Sequence, residues 1–171
     1  MRFAALTGSF FAAVLLFSSC QKSSNLSPIP SISFKSFQAT GGTTGVLSIN
    51  FTDGDGDIGY PSQDPTAKPN MWVKYLYYDY TSKKFIGVYN KEDSATFDSV
   101  YFVYNVPYIT PTGKDKSLTG VIQLNMTDYY ANPYATLDSL QVQFQIYVYD
   151  RAGNKSNVIT SRTIYPGSPT P

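Results

Sequence analysis

From Leu140 to Val148 every second residue is apolar: Leu140, Val142, Phe144, Ile146 and Val148 alternate with Gln141, Gln143, Gln145 and Tyr147. A period of two describes a strand with one face in a core and the other toward water. The same alternation sets Leu47, Ile49 and Phe51 against Ser48, Asn50 and Thr52. No segment carries a convincing 3.6-residue period, so the chain is predicted to be built from strands. Strand-like runs fall at about 31–39, 45–53, 71–80, 84–90, 96–106, 118–126, 140–150 and 157–165. Fifteen tyrosines and eleven phenylalanines suit them, because flat side chains pack well on a pleated surface.

One-sided strands joined by turns predict antiparallel pairing in two packed sheets. About eight such strands between residues 31 and 165 fit an immunoglobulin- or fibronectin-like β-sandwich, with a small barrel as the alternative. Trp72, near the start of the third run, stands where such a core often keeps a tryptophan, although the parity of that run is ambiguous. Three longer irregular stretches, 60–70, 107–117 and 127–138, interrupt the strands. The last holds Tyr129, Tyr130 and Tyr134. Loops of this length tend to be functional or to cover a sheet edge.

Composition removes several function classes. The chain has no histidine, which excludes Ser-His-Asp and Cys-His nucleophile systems and imidazole zinc sites. Glu92 is the only glutamate, so a two-carboxylate glycosidase would have to rest mainly on aspartates. No run of Lys and Arg forms a basic patch, which argues against a nucleic-acid partner. No general base distinct from potential metal ligands is visible, and the expectation is a non-enzymatic protein.

The N-terminus predicts export. Arg2 precedes a mostly apolar stretch, Phe3 to Phe17, of signal-peptide length and too short for the ~20 residues that span a bilayer. Ser18 and Ser19 follow, and then Cys20, the only cysteine in the chain. Leu16-Phe17-Ser18-Ser19-Cys20 resembles the bacterial lipobox, with Phe17 where that motif prefers leucine. The resemblance implies cleavage after residue 19, acylation of Cys20 and attachment to the lipid bilayer. Several acyl chains, at ~0.8 kcal/mol per buried CH₂, make such an anchor effectively permanent. Acylation of Cys20 leaves the domain without a disulfide. The polar, Pro-punctuated residues 20–30 then form a tether, and residues 166–171 a loose tail.

The sharpest local feature is Asp53-Gly54-Asp55-Gly56-Asp57-Ile58-Gly59. Three aspartates at spacing two, separated by glycines, let carboxylate oxygens converge as a hard cation such as Ca²⁺ requires. An EF-hand is excluded: counting from Asp53, the sixth position is Ile58 rather than Gly, and no helices flank the loop. A solvated Asp-Gly turn is the simpler alternative. Periodicity favours more. Asp53 continues the inward series Leu47, Ile49, Phe51, and Asp150 continues the series ending at Val148. Two inward carboxylates at one end of a core need neutralising, either by a cation or by Arg151 and Lys155. The expected Ca²⁺ ligands are Asp53, Asp55, Asp57 and Asp150, with Asn154 and Asp64 in support.

The segment Phe51 to Gly59, together with Tyr149-Asp150-Arg151-Ala152-Gly153-Asn154-Lys155-Ser156-Asn157, resembles a family of small lipoproteins of Bacteroidota-type bacteria. Its Asp-Arg-Ala-Gly-Asn portion is similar to the F–G turn of bacterial Ig-like surface domains. The resemblance implies a cell-envelope protein. In that group, acidic residues after the lipidated cysteine accompany surface export. Residues 21–25 contain none, which implies an outer-membrane protein facing the periplasm, with surface exposure as the other possibility. The resemblance implies no activity. Two roles follow: an Ig-like module binding another protein or supporting an envelope assembly, or a carbohydrate-binding module. The second would present Tyr129, Tyr130 and Tyr134, or Tyr147 and Tyr149, to sugar rings.

Overall fold

A computed structural model describes residues 26–41, 44–61, 68–87, 101–109, 111–127 and 141–165. The expected signal segment, Cys20, Asp64, Tyr129, Tyr130, Tyr134 and the expected tail lie outside these residues. The described chain is all-β: β1 (Ser31–Ala39), β2 (Gly45–Asp53), β3 (Met71–Asp79), β4 (Lys84–Gly87), β5 (Tyr101–Tyr104), β6 (Leu118–Met126), β7 (Val142–Val148) and β8 (Ile159–Thr160). All pairings between these strands are antiparallel.

The strands form two sheets, one in the order β1-β2-β6 and the other β4-β3-β7-β8, with β5 also paired to β3. β3 is the hinge of the larger sheet. β7 runs along one side of it, while β5 takes Met71 to Lys74 and β4 takes Leu76 to Asp79 on the other. The inward faces of the two sheets meet in one core, with Leu47 and Ile49 from the first and Val73, Phe144 and Ile146 from the second. Phe37 and Phe144 touch across it, their ring centroids 5.7 Å apart. The result is a β-sandwich-like fold.

Alternation governs β2 and β7 as the sequence predicts. In β7, Val142, Phe144, Ile146 and Val148 are all fully buried. In β1 the parity changes midway: Ile32 and Phe34 point inward, and so do Phe37 and Ala39. A β-bulge makes this possible. Phe34 pairs with Ile49 and Ser36 with Ser48, so Lys35 is the extra residue and the strand resumes on the opposite parity.

Trp72 is not the core tryptophan that the sequence suggested. Met71, Val73 and Tyr75 fill the inward positions of β3, and Trp72 lies on the outer face, half-buried opposite Tyr147. The final strand is shorter than 157–165: Ile159 and Thr160 pair with β7, and Ile164 makes a separate bridge to Val142.

The fold gives the domain two poles. β2 and β7 both end, and β1, β3 and β6 all begin, at the pole that carries Asp53 and Asp150. The β3–β4 turn, where Asp79 accepts the N–H groups of Thr81 and Ser82, lies at the other.

Candidate metal centre

Two turns make up the acidic pole. At the end of β2, alternation carries Asp53 inward to 0% exposure, paired with Leu118 of β6. The chain then passes Gly54, whose N–H donates to the Ser27 carbonyl at 2.8 Å. A Cβ at Gly54 would collide with the carbonyl oxygens of Leu26 and Ser27, so only glycine lets the entering chain lie this close. Gly56 adopts φ +68°, the left-handed conformation that glycine takes without penalty, and packs against the Lys116 carbonyl. This path folds the loop back on itself, and the Ile58 N–H closes it by donating to Asp53 Oδ2 at 2.8 Å. One carboxylate oxygen from each of Asp53, Asp55 and Asp57 then lies within 4.8 Å of the others.

The turn after β7 is laced to this loop. Ile58 bridges Asp150, the Arg151 N–H donates to the Asp57 carbonyl at 3.2 Å, and the Ala152 N–H donates to Asp57 Oδ2 at 3.0 Å. The two acidic turns therefore share one pole. Asp150 is also 0% exposed. Its oxygens serve its own turn: Oδ1 accepts the Asn154 backbone N–H at 2.7 Å, and Oδ2 accepts the Asn154 side-chain amide at 2.8 Å. Asn154 thus acts as the clamp of Asp150. Asp53, Asp55 and Asp57 converge, and Asp150 stands beside them.

The cations nearby are engaged elsewhere. The Arg151 guanidinium donates to the carbonyls of Gly59 and Ile58 at 2.7 and 3.3 Å and lies 4.8 Å over the Tyr108 ring. The Lys155 ammonium sits 3.8 Å over the Tyr147 ring. Arg151 holds the loop by its main chain, and its positive charge is the weakest of the influences acting on Asp57.

The electrostatic consequence is a crowded, under-neutralised cluster. At an effective dielectric of ~20, two unit charges ~5 Å apart repel by roughly 3 kcal/mol. Burial first, and then the neighbouring Asp55 carboxyl, push Asp53 up to about 6 against the opposing pull of the Ile58 N–H. Asp57 is also raised, by burial first and then by the fields of Asp150 and Asp55, while the Ala152 N–H and Arg151 pull it down. Two oxygens stand out. Asp53 Oδ1 and Asp57 Oδ1 are buried and have no hydrogen-bond partner.

Two residues that support the pole escaped the sequence reading. Asn70 Oδ1 accepts the Val106 N–H at 2.7 Å while its carbonyl accepts the Tyr149 N–H at 2.7 Å, so it ties β3 to both neighbours. Asn157 extends the edge of β1 like a short strand: its Oδ1 accepts the Ile32 N–H at 2.8 Å and its Nδ2 donates to the Ile32 carbonyl at 2.9 Å. Loop asparagines are common, and nothing in their spacing marks these two. Tyr147 and Tyr149, candidates for sugar stacking, are half-buried on the outer face of the larger sheet.

No family model, no curated protein and no solved structure matches this chain.

Proposed function

We propose that the chain is a lipid-anchored, non-enzymatic immunoglobulin-like module of the bacterial envelope. On this reading it is fastened through acylated Cys20 to the outer membrane on its periplasmic side, and it binds another envelope protein. The strand orders support the Ig-like assignment: β1-β2-β6 corresponds to A-B-E, and β4-β3-β7-β8 to C′-C-F-G. The observation that carries the reading is the Gly54–Ser27 hydrogen bond, which joins the entering chain to the acidic pole. Leu26 lies six positions after Cys20, and at ~3.5 Å per residue that span reaches about 20 Å. The acidic pole then faces the bilayer, and the outer faces and the opposite pole are presented to a partner. Mass spectrometry of the membrane fraction tests the anchor. The mature chain should begin at residue 20 with acyl mass, and Cys20→Ser should release it or leave it unprocessed. An unmodified, soluble wild-type chain would refute the reading.

A carbohydrate-binding role is the second reading, and one observation favours it. Trp72 and Tyr147 lie nearly parallel on the outer face of the larger sheet, 12° between planes and 6.3 Å between centroids, with Gln145 on the same face. Flat rings beside polar side chains suit sugar recognition. Glycan-array binding lost on Trp72→Ala, with the fold retained, would establish this role over the first.

A further inference from the structure

We infer that Asp53, Asp55 and Asp57 form a hard-cation site of the Ca²⁺ type, with Asp150 outside the coordination set. The inference does not depend on lipid anchoring or on the identity of a partner. It rests on two independent observations. The first is convergence: one oxygen from each carboxylate lies within 4.8 Å of the others, as oxygens sharing a cation at ~2.4 Å do. The second is the state of Asp53. Its side chain is entirely buried, and its Oδ1 has no hydrogen-bond donor. Asp57 Oδ1 is orphaned in the same way. Buried carboxylate oxygens are almost always satisfied, and two orphans in one cluster mark a missing positive group.

Among the described residues, the cations at this pole are engaged with other groups, Lys116 with the Pro111 carbonyl. Arg151 gives its N–H groups to main-chain carbonyls, and Lys155 sits over Tyr147. The donors are all carboxylate oxygens, which select a hard ion over zinc or copper. Each of the two inner aspartates has one oxygen held by an N–H, from Ile58 or Ala152, which leaves the other to a cation. Ca²⁺ sites commonly have six to eight oxygens, so the three carboxylates would leave the rest of the sphere to water or other oxygens. Asp150 differs. Both of its oxygens accept N–H groups of Asn154, and it is not among the carboxylates whose oxygens converge.

The test is thermal unfolding of the full chain, purified from membranes in detergent, in EDTA and in increasing CaCl₂. Terbium luminescence sensitised by the tyrosines gives a second readout. Calcium at 100-fold above its dissociation constant should raise Tm by several degrees. Asp55 is the exposed member of the cluster, so Asp55→Asn should fold normally, equal or exceed the parent in EDTA, and lose the calcium increment. Asp150→Asn should lower Tm equally in both conditions and keep the increment. A parent with identical Tm in EDTA and calcium would overturn the site. An increment retained in Asp55→Asn, or abolished in a folded Asp150→Asn, would overturn the ligand set.

Discussion

The Gly54 N–H donates to the Ser27 carbonyl at 2.8 Å, so the segment leading from Cys20 is fastened to the loop that carries the three clustered aspartates. The contact is close enough that a single added carbon has nowhere to go. Gly54→Ala should therefore detach residues 26–27 from the loop while leaving the core intact. Hydrogen exchange should show faster exchange at Gly54, with unchanged protection in β2 and β7. Unchanged exchange at Gly54 would mean that the tether is held some other way.

Removing the Asn157 clamp should loosen β1. Asn157→Ala strips the Ile32 N–H and carbonyl of their partners at the end of an edge strand, a loss of about 1–3 kcal/mol. Urea unfolding should show a lower midpoint at constant m-value. Asn157→Asp keeps the acceptor and loses the donor, and should fall between the two.

In the core, Phe144→Ala should cost about 3–5 kcal/mol, because Phe144 touches Phe37 of the facing sheet and Tyr75 of its own. A cost below about 1 kcal/mol would contradict the packing of the two sheets described here.

Proton linkage at Asp53 gives a pH signature in chelator. Its folded pKa of about 6 lies above the ordinary 3.8, so between these values the folded state binds more protons than the unfolded. The stabilising contribution is full below pH ~4 and is lost as pH rises through ~6, an effect of order 1–3 kcal/mol. Tm in EDTA should therefore fall across this window, and Asp53→Asn should flatten the fall. An Asp53 contribution that instead rises with pH would contradict the crowded-carboxylate description.

The inward turn of Asp53 and Asp150 is legible from strand parity, and their meeting at one end is not. Asp53 and Asp150 each extend a clean apolar series, and both prove fully buried at the same end of the fold. β3 is not legible in the same way. Its run of Met71, Trp72, Val73, Tyr75, Leu76, Tyr77 and Tyr78 is apolar or aromatic on both faces, so hydropathy alone cannot say which way Trp72 turns. The β1 bulge is hidden for a similar reason, since one extra residue at Lys35 breaks the alternation midway. Arg151 illustrates a third limit. Its charge suggests a carboxylate partner, but its guanidinium binds carbonyl oxygens that only the folded loop brings within reach.

The orientation on the membrane tests the account most directly. Cys20 is the only cysteine, and the acylation proposed for it would consume its thiol, so one introduced cysteine would supply a unique labelling site. Lys116 is exposed at the acidic pole, and Ser82 is exposed at the opposite one. Nine-residue strands such as β2 separate the poles by roughly 30 Å. The lipidated protein, labelled with a fluorophore at Lys116→Cys or Ser82→Cys, is reconstituted into vesicles carrying a headgroup quencher. Quenching should be strong at position 116 and weak at position 82. Equal quenching at both, or stronger quenching at 82, would contradict that orientation.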